Sequence, residues 1–183
     1  MPFIKTEFPG LIIFEPRVFG DDRGYFFESY NKNLFKEAGI DVQFVQDNQA
    51  YSGKGVLRGL HYQTAPYTQA KLVRVLSGEV LDVVVDVRKN SPTYGRSYSC
   101  ILSAENKKQL FVPRGFAHGY VVLSDTAEFF YKCDNFYSKA HEGGIRPDCP
   151  ILDIDWQYDL SKAIIAERDK GFPSFGGHLP WDV

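Results

Sequence analysis

Short runs of alternating apolar and polar residues fill most of this chain, and turn residues interrupt them every few positions. Leu11 to Glu15 is the first strand-like run, closed by Pro16. Phe19-Gly20-Asp21-Asp22-Arg23-Gly24 reads as a turn, and Tyr25 to Tyr30 as a second strand whose period of two puts Phe26 and Glu28 on one face. Asn31 to Ala38 predicts a helix, with Asn31 as cap and Gly39 as stop. Val42 to Tyr51 predicts a strand with Gln46 and Asn48 on a common face, and Ser52-Gly53-Lys54-Gly55 turns into the run Gly55 to Gln63. After a polar loop through Pro66, Lys71 to Leu76 and Val80 to Val87 flank Ser77-Gly78, a two-residue hairpin signal. Ser97 to Leu102, Lys108 to Val112, Tyr120 to Leu123 and Ala127 to Cys133 complete the strands. Leu160 to Lys170 predicts one late helix, ended by Gly171 with Pro173 beyond. Many short strands closed by a late helix favour an all-β sandwich or barrel over an α/β sheet.

Composition supports that reading. Fifteen Phe and eleven Tyr suit pleated, half-buried surfaces, and 183 residues without a linker-like stretch predict a single domain over 1–183. A formal charge of −2 disfavours a nucleic-acid binder. Cys100, Cys133 and Cys149 fit neither a metal-ligand spacing nor a disulfide framework, so reduced structural thiols are expected. The start of the chain lacks a continuous apolar h-region and no run approaches membrane-spanning length, which predicts a soluble, cytoplasmic protein with no membrane partner.

The candidate chemistry centres on His61, because a histidine side chain can take a proton and return it. Its bland alternative is a satisfied core or rim histidine. Lys71 shares a strand face with Val73 and Val75, while Leu72, Arg74 and Leu76 share the other, so periodicity leaves its direction open. Nucleophile elbows, P-loops and dinucleotide fingerprints are absent from the sequence. Gly55 to His61 and Pro113-Arg114-Gly115-Phe116-Ala117-His118 look like remnants of two metal-binding cupin motifs, but Gln63 stands where a second histidine would ligate. General acid–base chemistry without metal or cofactor is the remaining expectation.

Taken together, Asp22 to Glu28, Asp47-Asn48, Lys54 to Gln63, Lys71 to Val75, Val112 to Gly119, Tyr131-Lys132-Cys133 and Glu167-Arg168-Asp169 closely resemble the signature of the dTDP-4-dehydrorhamnose 3,5-epimerases. The resemblance covers nearly the whole chain. It implies a homodimeric cupin-type double-stranded β-helix, or jelly roll, with a few short helices. It also implies a dTDP-4-keto-6-deoxyhexose substrate inverted at C3 and C5, with no cofactor. By the same resemblance, His61 is the base, Asp169 its orienting carboxylate, Lys71 the cation near the C4 oxygen and Tyr131 the acid on the opposite face. Arg23 and Arg58 match diphosphate contacts, and Phe26, Glu28, Gln46, Asp47, Asn48, Glu142 and Arg168 match other substrate contacts. His118 would lie by the sugar and Tyr137 would stack on thymine, while the Arg23–Glu28 segment would complete the neighbouring subunit's site. A mono-epimerase, a 3,4-ketoisomerase or a non-catalytic sugar-nucleotide-binding cupin are the alternatives.

One conflict stands out within the resemblance. Strict alternation puts Leu57, Gly59, His61 and Gln63 on one face and Arg58 on the other, yet both Arg58 and His61 are implied in one site. A bulge or twist at Gly59 would reconcile them.

Overall fold

A computed structural model describes residues 2–182. In chain order the elements are β1 (Phe3–Lys5), β2 (Ile12–Phe14), β3 (Phe19–Asp21), β4 (Gly24–Phe26), α1 (Lys32–Glu37), β5 (Gln46–Gly53), β6 (Val56–Gln63), β7 (Lys71–Ser77), β8 (Glu79–Asp86), β9 (Ser97–Ser103), β10 (Gln109–Val112), β11 (Phe116–Val122), β12 (Thr126–Cys133), β13 (Glu142–Gly144), β14 (Ile164–Ile165) and α2 (Glu167–Lys170). One sheet runs β1-β2-β10-β7-β12-β5 and the other β13-β6-β11-β8-β9, with β14 added in parallel to β6. β3 and β4 form a separate two-stranded ribbon. The architecture is the jelly roll expected of the resemblance.

The two sheets enclose a core of Val73, Val75, Val80, Val84, Leu110 and Phe129. β8 shows why its sequence reads as an almost unbroken valine run: Val80 and Val84 face that core, while Leu81, Val83 and Val85 pack on the other side beneath Ile145 and Trp156. A strand buried on both faces cannot alternate. Each fully buried aliphatic side chain contributes roughly 1.5–3 kcal/mol relative to exposure. On the outer face of the first sheet, Ile12, Phe14, Leu72 and Phe111 are covered by Phe35 of α1. Asn31 caps this helix by accepting from the amides of Asn33 and Leu34.

Several expected boundaries move. The second strand stops at Phe26, and Tyr30 instead packs on Phe35 and Phe44. β5 starts at Gln46 rather than Val42, because Val42 and Phe44 are spent covering the α1 cluster. β11 begins at Phe116, which places His118 inside a strand. The expected helix over Leu160–Lys170 is broken in three. Asp159 caps a single 3-10 turn over Leu160–Lys162, Ile164 and Ile165 pair with Val56 and Leu57 of β6, and only Glu167–Lys170 is α-helical.

The Ser77-Gly78 expectation is corrected more deeply. β7 and β8 belong to different sheets, so the chain crosses the sandwich here instead of folding back on itself. Gly78 has φ +77°, and a Cβ on it would overlap the Thr126 carbonyl oxygen. Glycine is required by the corner, not by a hairpin.

Among the described residues no helix is long and apolar enough to cross a membrane. Cys100, Cys133 and Cys149 are free thiols.

Candidate active site

The site draws on strands of both sheets. β6 carries Arg58 and His61, β11 carries His118 and Tyr120, β7 carries Lys71, and β12 carries Phe129 and Tyr131. All of them line one cavity of about 570 Å³.

Arg58 and His61 reach the same cavity because the β6–β11 ladder slips. Arg58 pairs with Tyr120 but His61 pairs with His118, so three steps on β6 oppose two on β11. The extra residue lies at Gly59-Leu60 and reverses the parity of the strand. Gly59 has φ +140°, and a Cβ there would come within 2.5 Å of the Gly119 Cα. Only glycine permits that approach.

His61 is oriented by α2. Its Nε2 lies 2.9 Å from Asp169 Oδ1, and the other carboxylate oxygen accepts the Gly59 amide at 3.2 Å. Asp169 is buried, which on its own would raise its pKa. Hydrogen bonds from His61, Gly59 and Arg168 outweigh the burial and hold the carboxyl below its ordinary range. Such a carboxylate keeps the proton of a neutral imidazole on Nε2 and leaves Nδ1 as the basic nitrogen. Phe172 adds an edge-on contact to the imidazole, with ring centroids 5.7 Å apart. That ring sits on the bare Gly144, where a Cβ would overlap it. The break in the late helix therefore has a use: the single turn of α2 delivers both Arg168 and Asp169 to β6.

Lys71 points inward with Val73 and Val75, which resolves the parity left open by the sequence, while Arg74 on the other face lies over Phe27. Among the described residues its ammonium has no carboxylate within ion-pair distance. Burial pushes its pKa down, against the pull of Cys133, Asp82 and Glu142. Its nitrogen lies 5.9 Å from the centroid of Tyr131. The Tyr131 phenol is pushed up to about 12 by burial first and then by Cys133 and Tyr120, with Arg58 opposing. It stays protonated near neutral pH.

His118 is backed by a residue that sequence reasoning missed. Its Nε2 lies 2.9 Å from Asp82 Oδ2, and both side chains are buried. Burial raises the Asp82 pKa, with His118 and Lys71 pulling it down. An aspartate at the inward parity of the β8 valine run was the available signal, because a buried carboxylate needs a partner. Arg58 donates to Ser52 Oγ at 3.2 Å through both Nε and Nη2. Arg168 spans Glu142 and Asp169, with Nη1 3.1 Å from Glu142 Oε1 and Nε 3.1 Å from Asp169 Oδ1. Gln46 and Asn48 share the inward face of β5, joined by a 3.0 Å hydrogen bond, and Gln46 also accepts the Tyr137 amide at 3.1 Å. Tyr137 is half exposed at the mouth. The parallel strand β14 and Ala166, absent from the sequence expectations, form another wall.

Two groups of expected residues are not gathered here. Asp47 lies on the outer face of β5, where it pairs with Lys132 at 3.0 Å, because neighbours of Gln46 and Asn48 must point the other way. Its side chain therefore lies outside this chain's own cavity. Arg23, Phe26 and Glu28 sit on and just after the exposed β3–β4 ribbon, outside this chain's own cavity. Arg23 there pairs with Asp21.

Gln63 is fully committed to backbone. Its amide nitrogen donates to the carbonyls of Tyr67 at 2.6 Å and Phe136 at 3.1 Å, while its oxygen accepts the Ser138 amide at 2.6 Å. It ties the loops beside the cavity to β6. Among the described residues no cluster of three His, Cys, Asp or Glu has metal-binding geometry.

Comparison with known proteins agrees in family and fold. Residues 5–176 match the family model described as dTDP-4-dehydrorhamnose 3,5-epimerase. A dTDP-4-dehydrorhamnose 3,5-epimerase of Shigella flexneri is 56% identical over 170 residues, covering 92% of this chain and 93% of its own. The crystal structure of the enzyme of that name from Elizabethkingia anophelis has a TM-score of 0.92 at 52% identity, covering 95% and 96% of the two chains. A dTDP-6-deoxy-D-glucose-3,5-epimerase from Legionella pneumophila, solved in complex with dTDP-4-keto-L-rhamnose, has a TM-score of 0.91 at 46% identity, covering 96% and 93%.

Proposed function

The chain belongs to the dTDP-4-dehydrorhamnose 3,5-epimerase family, and from that premise we propose how its own residues perform the reaction. It is an isomerase that converts dTDP-4-dehydro-6-deoxy-D-glucose to dTDP-4-dehydro-L-rhamnose by inverting C3 and C5. Both centres flank the C4 ketone, so each C–H proton is acidified by the substrate itself.

The observation that carries the mechanism is the placement of a base and an acid on facing sheets of one cavity. His61, on β6, takes the proton through Nδ1 while Asp169 holds Nε2 and stabilises the imidazolium. The electron pair moves into the C4 carbonyl as an enolate, and the unpaired ammonium of Lys71 stabilises the charge that develops on oxygen. Tyr131, on β12, then delivers its proton to the carbon from the opposite wall. A base working from one face alone returns the hydrogen where it came from. Inversion needs the second group.

Arg58 in the cavity, with Arg23 supplied by a second copy, suits the diphosphate, and Arg168 makes another substrate contact. Gln46, Asn48, His118 and Glu142 contact the sugar nucleotide, and Tyr137 stacks on the base. Arg23, Phe26 and Glu28 act on the site of a second copy: an aromatic ribbon with Tyr25 and Phe26 mostly exposed is suited to burial against a partner chain. The enzyme is accordingly a homodimer that works in the cytoplasm as a single-domain unit per chain.

Given dTDP-4-keto-6-deoxyglucose and no added cofactor, the protein should yield the L-configured hexulose, seen in the ring-proton couplings by NMR, and should sediment at twice its chain mass. Recovery of unchanged sugar would contradict the reaction, and an active monomer would contradict the shared site.

A further inference from the structure

Gln63 lies two residues beyond His61 on β6 and is 6% exposed, yet the mechanism gives it no task. Its amide makes three hydrogen bonds, all to the backbone of two irregular segments. One goes to the Tyr67 carbonyl, in the loop before β7. The other two bracket Tyr137: Nε2 donates to the Phe136 carbonyl at 3.1 Å, and the Ser138 amide donates to Oε1 at 2.6 Å. Between them, the Tyr137 amide donates to Gln46 Oε1 at 3.1 Å. Two glutamines on strands of different sheets, β5 and β6, thus grip three consecutive residues. A primary amide offers an acceptor and two donors from one planar end, whereas a neutral imidazole has one of each and a carboxylate has no donor. The Tyr137 side chain, by contrast, is 52% exposed at the mouth of the cavity. The backbone beneath the ring is fixed while the ring itself stays open. An irregular segment without such anchors would have to be ordered as a ligand arrives, at a cost in affinity.

We infer that Gln63 is a positioning residue for nucleotide binding, which presets the Tyr137 ring for stacking on the nucleobase by holding Phe136 and Ser138; this rests on the function proposed above. Gln63 acts through Tyr137, so it governs how tightly the nucleotide is held and leaves the proton transfers alone. Because His61 stands on the same strand, β6 fixes the spacing between the proton acceptor and the nucleobase clamp.

Gln63→Met keeps the length of the side chain and removes all three bonds. In the full-length protein it should weaken dTDP binding about 10-fold by titration calorimetry. The KM for dTDP-4-keto-6-deoxyglucose should rise by about the same factor, with kcat within about twofold. A double-mutant cycle with Tyr137→Ala tests the route of the effect. Tyr137→Ala alone should weaken dTDP binding about 10-fold, within the range of base stacking, and adding Gln63→Met should then cost less than about twofold more. A full loss from Gln63→Met in both backgrounds overturns the inference, since Gln63 would then shape the cavity independently of Tyr137. Unchanged affinity in Gln63→Met, or a fall in kcat at constant KM, overturns it as well. If Gln63→Met does not fold, Gln63→Glu, which keeps the acceptor for Ser138 and loses both donors, enters the same cycle with the same coupling expected. Tight dTDP binding by the wild type and Tyr137→Ala alike removes the stacking role and this inference, and leaves the family reading intact. If the wild type binds no dTDP at all, the functional reading itself falls.

Discussion

Substitution of His61 by asparagine is expected to slow hydrogen exchange at C3 and C5 by about a thousandfold, roughly 4 kcal/mol of barrier, while leaving dTDP binding unchanged. Asparagine has no lone pair of comparable basicity, yet its amide can still donate towards Asp169. The carboxylate also retains its bonds from the Gly59 amide and Arg168, so the buried charge is not orphaned. Proton exchange by NMR in D2O, with dTDP affinity by calorimetry, separates the two effects. Loss of dTDP binding together with exchange would mean that the imidazole holds the wall of the cavity in shape, and that its proton chemistry is incidental.

Tyr131→Phe separates exchange from inversion. His61 and Lys71 remain able to form the enolate, so solvent hydrogen should still enter the substrate at a rate near that of the wild type. Reprotonation then falls to the imidazolium on the face from which the proton left. The inverted product should form about a hundredfold more slowly or worse, within the range that a positioned acid supplies. The phenol is suited to this task because burial pushes it to about 12, which keeps it protonated throughout the neutral range. Stereochemistry and label, followed together in one time course, distinguish the roles. Equal losses of exchange and inversion would place Tyr131 in enolate formation instead of proton return.

Much of this molecule can be read from alternation, and the exceptions have definite causes. β6, β7, β9, β10 and β12 fall close to where periodicity puts them, since each buries one face against the sandwich core. The crossing at Gly78 was misread because a small polar-glycine turn looks the same locally whether the chain pairs back or changes sheets. What decides it is the Thr126 carbonyl, 48 positions away in the chain. The late helix was overextended for a similar reason: Ile164 and Ile165 gain a ladder on β6 that helical propensity cannot register.

The site divides along the same line. The single slip at Gly59 that brings Arg58 beside His61 was signalled by a glycine inside a strand, although its direction required the Gly119 backbone to be seen. Asp82 was legible as a carboxylate among valines and was overlooked. The contact between His61 and Asp169, by contrast, spans 108 positions and follows no spacing rule. Only the family resemblance suggested it. The direction of the Asp47 side chain, towards Lys132 on the outer face, follows from strand parity alone.

The central claim is that protons leave from the His61 wall and return from the Tyr131 wall at both carbons beside the ketone. The most direct test is incubation of the wild-type protein with dTDP-4-keto-6-deoxyglucose in D2O, with deuterium and configuration at C3 and C5 read by NMR. The account predicts deuterium at both carbons of an inverted L-configured product. Inversion with label at only one carbon, or binding with no label at either, would contradict it.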